Sequence, residues 1–181
     1  MTVEISRQGA TRATEIVGTG QVGASPARVF AFLEDLENHR LLTGRAVAIE
    51  ELDGPPGART GGRVQLRGPL GIRRRARTRM VDSRAPRWMV GSAEIGRGTL
   101  ALISWTIAED RTGSRVRLKA EIGRLSVPDR VLLALGGRRW MRRLFEESVT
   151  ALADRLAPQA AVSAVGAPAP AHEPALAWEG R

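Results

Sequence analysis

The spacing of apolar residues changes period along this chain, and each change marks a boundary between elements. Thr14 to Ala24 reads as a strand, with Ile16, Val17 and Val22 set among small residues. Ser25 stands at a helix N-cap and Pro26 at the first helical position. Val29, Phe32, Leu33 and Leu36 then follow at i, i+3, i+4 and i+7. This predicts a short amphipathic helix whose Val29 and Phe32 face meets a sheet. Asn38 is expected to end it, with Glu37 to Leu42 forming a second short helical turn.

From Gly44 to Arg124 the period is two. Val47 and Ile49 alternate with polar or small neighbours, the turn-rich Asp53-Gly54-Pro55-Pro56-Gly57 follows, and Val64 and Leu66 resume the alternation. Gly68-Pro69-Leu70-Gly71 predicts a hairpin connection. The next strand, Ile72 to Val81, puts Arg73, Arg75, Arg77 and Arg79 on one face and Ile72, Arg74, Ala76, Thr78 and Met80 on the other. A slip of one residue would bury four arginines, so the pattern specifies the register. Two more strands are expected over Arg87 to Ile95 and Thr99 to Glu109. A last one has Val116, Leu118, Ala120 and Ile122 inward and Arg115, Arg117, Lys119 and Glu121 outward.

The period then returns to 3.6. A C-terminal helix is predicted to begin near Pro128 and Asp129, bend at Gly136-Gly137 and run from Arg138 to Leu156, with Trp140, Met141, Leu144, Phe145, Val149 and Leu152 on its apolar stripe. Beyond Pro158 the chain is mostly Ala, Pro, Gly and Val. Residues 158–181 are therefore expected to be a disordered tail, and residues 1–13 a flexible arm. The order of elements gives an α+β domain over residues 14–157, in which a long antiparallel sheet has one long helix to close it. Such a sheet encloses a pocket.

Composition narrows the function classes. There is no cysteine, which removes thiolate chemistry, disulfides and Cys-based metal sites. No paired His or HExxH pattern is present, so neither a metal nor another cofactor is expected. No run of apolar residues is long enough to span a bilayer, and the first fifteen residues lack a secretory h-region, so the cytoplasm is the expected location. The net charge of +9 is local: ten arginines and one acid lie between Arg59 and Arg87, and the remaining charges cancel. This region could hold RNA, a ribosome or an anionic membrane through Arg73, Arg75, Arg77 and Arg79. The favoured reading is a solvated sheet face in a chain with 27 arginines and a single lysine.

Several residues are candidates for chemistry. Gly18-Thr19-Gly20-Gln21-Val22-Gly23 has the letters of a dinucleotide fingerprint, but the helix starts at Ser25-Pro26, after the third glycine, and hairpins follow it instead of βα units. Glycines in a closely packed strand explain it better. His39 is expected in a solvated loop, with a role as acid or base at a pocket mouth as the alternative. On the inward sheet face, Leu66, Arg74 and Thr78 are candidate ligand contacts, together with Trp88, Val90, Ser92 and Glu94 on the neighbouring strand. Arg74 needs a partner if buried. Glu94 or Asp82 could provide a structural ion pair, or a ligand carboxylate or enolate could supply the charge. Trp105, Trp140 and Leu144 would add apolar wall.

The segment Ser25-Pro26-Ala27-Arg28-Val29-Phe30-Ala31-Phe32-Leu33-Glu34-Asp35 resembles the first-helix signature of the START-like, or SRPBCC, superfamily of polyketide cyclase/dehydrase type. The punctuation at Asp53 to Val64, Val81 to Trp88 and Gly113 to Val116 is similar too. The resemblance spans about residues 14 to 157. It implies a helix-grip fold, a curved antiparallel sheet wrapped around the C-terminal helix over a hydrophobic cavity, and the binding of lipids, sterols, quinones, hormones or polyketides. Cyclases of the group line that cavity with tyrosine, and this chain has none. The leading expectation is a small-ligand binding or carrier protein without a catalytic residue. One alternative is an aromatase/cyclase or dehydratase in which Arg74 polarises a carbonyl and Glu94 moves protons. The other is surface binding by the Arg-rich strand.

Overall fold

The computed structural model describes residues 14–68 and 71–157. The expected N-terminal arm, the expected tail, and Pro69 and Leu70 of the hairpin connection lie outside the described residues. Seven strands form one antiparallel sheet: β1 (Thr14–Val22), β2 (Val47–Asp53), β3 (Gly61–Arg67), β4 (Arg73–Arg84), β5 (Trp88–Ile95), β6 (Thr99–Asp110) and β7 (Gly113–Arg124). Their order is β1-β7-β6-β5-β4-β3-β2, so every neighbour except β1 is joined by a hairpin. Between β1 and β2 the chain forms α1 (Pro26–Glu34), a single 3₁₀ turn (Leu36–Asn38) and α2 (His39–Thr43). The end of the chain forms α3 (Val127–Leu132), a distorted turn (Leu133–Gly137) and α4 (Arg138–Leu156). This is the α+β layout that the periodicities predict and the helix-grip fold that the resemblance implies.

Local chemistry explains the elements. Pro26 opens α1 as predicted, but its buried set is Val29, Phe30 and Leu33, and Phe32 is only half-buried. The face that meets the sheet is thus rotated from the expected one, with Phe30 inside the core and Phe32 at its edge. The Ser126 hydroxyl accepts from the Asp129 amide at 3.3 Å and caps α3. The helical path then breaks at Leu135 and Gly136, where the glycine has φ +109°. Only a residue without a Cβ takes that conformation cheaply.

The main core lies where α4 runs along β1 and β7. Val116, Ala120, Val149 and Leu152 are fully enclosed there. Gly18 and Gly20 make this approach possible: a Cβ on Gly18 would stand 2.7 Å from the Phe145 carbonyl carbon, and one on Gly20 would stand 2.6 Å from a Val149 methyl. The fingerprint-like glycines therefore seat a helix, which agrees with the packing explanation of those letters.

Candidate functional site: an apolar cavity with one cationic end

Toward β2 to β5 the helix and the sheet separate and leave a cavity of about 330 Å³. Its floor is the concave face of the sheet, its roof is α3 and α4, and α2 closes one side. The wall is almost entirely apolar, as in sites that bind small organic molecules.

Of the ten candidates named from sequence, Leu66, Arg74, Thr78, Ser92, Trp105, Trp140 and Leu144 border this cavity. Trp88, Val90 and Glu94 do not. The register explains the difference. β4 and β5 pair Ala76 with Ile95, Thr78 with Ala93 and Met80 with Gly91, so the inward set on β5 is Met89, Gly91, Ala93 and Ile95. Glu94 sits opposite Arg77 on the outer face and is exposed, so it can neither pair with Arg74 nor move protons in the cavity. Asp82, also exposed, lies beyond a bulge between Met80 and Asp82 that reverses the facing of β4. The signal for the correct face was present: Met89, Ala93 and Ile95 are all apolar, and the alternate set contains the charge.

Arg74 has a different partner. Its Nη2 lies 3.0 Å from Asp129 Oδ1. The other oxygen, Asp129 Oδ2, accepts from Thr99 Oγ1 at 2.6 Å and from Ser126 Oγ at 2.7 Å, and the Ser126 amide donates to Thr99 Oγ1 at 2.9 Å. Thus Asp129, in the first turn of α3, also holds the arginine. The network ties the roof of the cavity to the floor at one end. It is incomplete in one respect, because the buried Nε of Arg74 has no hydrogen-bond partner. An unmet guanidinium N–H inside an apolar wall costs free energy. Asp129 was not a sequence candidate for this role, since it stands 55 residues from Arg74 in a helix start that reads simply as a cap.

His39 is the other polar group of note. It borders the cavity on α2, packs edge-on against Trp105 with ring centroids 6.3 Å apart, and has Nε2 2.7 Å from the Leu33 carbonyl. The expected solvated loop histidine is thus a partly buried wall residue. A carbonyl can only accept, so Nε2 carries the hydrogen, and burial pushes the pKa of the ring below its usual 6.5. The imidazole is neutral near pH 7 and its Nδ1 is a bare acceptor. Six residues of β6, about 20 Å at roughly 3.4 Å per residue, separate Trp105 beside His39 from Thr99 beside Asp129, which places His39 and Arg74 toward opposite ends of the cavity.

The basic outer face is partly neutralised. Arg75 lies 3.4 Å from Glu50, Arg77 lies 3.9 Å from Asp53, and Arg63 pairs with Glu51. No group of three or more potential ligands that could hold a metal occurs among the described residues, and no helix there is long and apolar enough to cross a membrane.

Fold and cavity together define a ligand-binding scaffold of the START-like, SRPBCC type. Residues 13–157 match the model of the family described as polyketide cyclase/dehydrase and lipid transport, and the chain belongs to that family. The family is associated with small hydrophobic ligands. Among solved structures, TTHA0849 from Thermus thermophilus is similar with a TM-score of 0.63 at 21% identity, covering 79% of this chain and 97% of the other. A protein from Rhodobacter sphaeroides aligns at TM-score 0.57 and 20% identity over 85% and 97% of the two chains. Ms6760 from Mycobacterium smegmatis aligns at 0.58 and 14% over 81% and 96%. At such identities the likeness is one of fold alone. No curated protein sequence matches the chain.

Proposed function

We propose that this protein binds and carries a small, largely apolar molecule with one acidic group, held with its tail among Leu66, Ile103, Trp105 and Leu144 and its acid against Arg74. The observation that carries this reading is a cationic side chain, Arg74, in the wall at one end of an otherwise apolar cavity. Burial of about 300 Å² of ligand surface is worth about 7 kcal/mol, and association consumes at least about 4 of that. Apolar contact alone therefore gives weak binding. A carboxylate that shares the Arg74 cation with Asp129 adds a charge-assisted bond, worth one to two orders of magnitude in affinity by the usual difference between charged and neutral hydrogen bonds.

Mass spectrometry of molecules that co-purify with the protein should find an amphipathic acid. An apolar fluorescent probe should bind and be displaced by long-chain carboxylic acids more strongly than by the matching alcohols. Arg74→Met should abolish that preference while probe binding persists. Ile103→Trp, which fills the cavity, should abolish probe binding in a folded protein. Equal displacement by acids and alcohols would overturn the assignment of Arg74.

One observation favours a second reading, an enzyme of the cyclase/dehydrase type. A neutral His39 in the cavity wall could act as a general base on a bound substrate whose distant acidic end is held by Arg74. Turnover of a polyketide-like substrate that His39→Gln abolishes, without loss of ligand affinity, would put this reading first.

A further inference from the structure

We infer that the segment Val127 to Gly137 is a docking surface for an anionic membrane, through which the amphipathic ligand reaches the cavity. The inference rests on the ligand-carrier reading for its cargo but on separate residues for its surface.

Three large apolar side chains stand out of this segment at intervals of four residues: Val127 is 71% exposed, Val131 52% and Leu135 72%. They share one side of α3 and the turn that follows. The other side supplies Asp129, Leu132, Leu133 and Gly137 to the cavity wall. A single stretch of chain thus separates the ligand site from solvent and presents an unpartnered apolar ridge outward. Most exposed apolar residues occur singly and mean little, but a ridge over a cavity is a different arrangement.

Charge selects the occupant. From Arg124 to Arg143 the chain has six arginines and one acid, and that acid, Asp129, is buried and paired with Arg74. Arg124, Arg130 and Arg139 are exposed and have no ion pair among the described residues. Apolar side chains flanked by uncompensated arginines match a bilayer with acidic head groups, where the ridge enters the boundary region and each arginine gains about fivefold in affinity. The sheet's outer face offers a contrast: Arg75 and Arg77 lie beside carboxylates there, and the exposed apolar residues of β4 and β6, Val81, Leu100 and Leu102, border no cavity.

The same placement suggests how cargo passes. Segment Leu133–Gly137 already departs from helical geometry, and the Arg74–Asp129 pair is one of two polar ties between α3 and the sheet, beside the bond from Thr99 to Asp129. An acidic ligand that takes Arg74 competes with Asp129 for the cation and loosens the roof on the side that faces the bilayer.

Flotation with vesicles tests the surface. The full chain should float with vesicles of phosphatidylcholine and phosphatidylglycerol at three to one, and much less with pure phosphatidylcholine. Added salt should weaken the association. Combined Val127→Ser, Val131→Ser and Leu135→Ser should lower binding at least tenfold, with near-ultraviolet circular dichroism and probe binding unchanged. Arg124→Gln, Arg130→Gln and Arg139→Gln together should do the same. Arg73→Gln, Arg75→Gln and Arg77→Gln together should leave flotation within about twofold of the parent. Three results would overturn the inference: no flotation with acidic vesicles, flotation that the serine variant retains, or a dimer in solution that Val131→Asp separates. Failure to float with probe binding intact removes the docking surface alone. Flotation without probe binding removes the carrier reading alone.

Discussion

The two halves of the sheet present the same alternation of apolar and polar residues to opposite results. On β1 and β7 the inward residues are buried under helix, with only Leu118 and Ile122 reaching the cavity edge, whereas on β2 to β5 they line the cavity. The difference is in what lets the helix approach. Gly18 and Gly20 bring α4 to within contact of the β1 backbone. Arg74, Thr78 and the small residues Gly91 and Ala93 on the other half neither attract a helix nor fill the gap. A core and a cavity thus differ by the size of a few side chains.

Substitutions on the closed half should have the largest effects. Gly18→Val places side-chain atoms in the Phe145 backbone, and overpacking that cannot relax costs about 3 kcal/mol or more; thermal denaturation should show a drop of many degrees or no folded protein. Leu152→Ala, at a fully buried site, should cost about 2–5 kcal/mol in denaturant titration. If either change left stability intact, the packed half would not be the core of the fold.

The tie between the halves comes next. Asp129→Ala removes the partner of Arg74, Thr99 and Ser126, and about 1–3 kcal/mol should be lost, less than for full burial because Arg74 keeps some contact with solvent. Asp129→Asn should retain part of this by accepting from Thr99.

His39 provides a smaller, pH-dependent effect. Its folded pKa is lowered, so in acid the unfolded chain binds a proton that the folded one resists. Stability should therefore fall as pH drops below about 6.5, and His39→Gln should flatten that part of the profile in chemical denaturation between pH 7 and 5. A profile identical to the parent would place the imidazole in water. The smallest effect is expected on the outer face, where Arg73→Gln, Arg75→Gln and Arg77→Gln together should shift stability by no more than about 1 kcal/mol, because exposed ion pairs contribute little.

Most of the fold was legible because each element depends on near neighbours. The alternation from Ile72 to Met80 specified its own facing, and Ser25-Pro26 marked the start of α1. The rotation of α1 was not legible, since Phe30 and Phe32 are equally apolar and only contact with β6 and β7 chooses between them. The same holds for β5, where a tryptophan and a valine suggested one face and the pairing with β4 dictated the other.

By itself, the chain's pattern of residues determined seven strands, the Gly136 break, the membership in a ligand-binding family and the arginine that enters the cavity. Tertiary structure alone decided that Asp129 holds that arginine, that His39 leaves water for the side of Trp105, and where the helix lifts from the sheet. Local periodicity encodes which face of an element is apolar, because that depends on residues a few positions apart. Which partner meets that face depends on residues far along the chain, whose distances only the folded backbone sets.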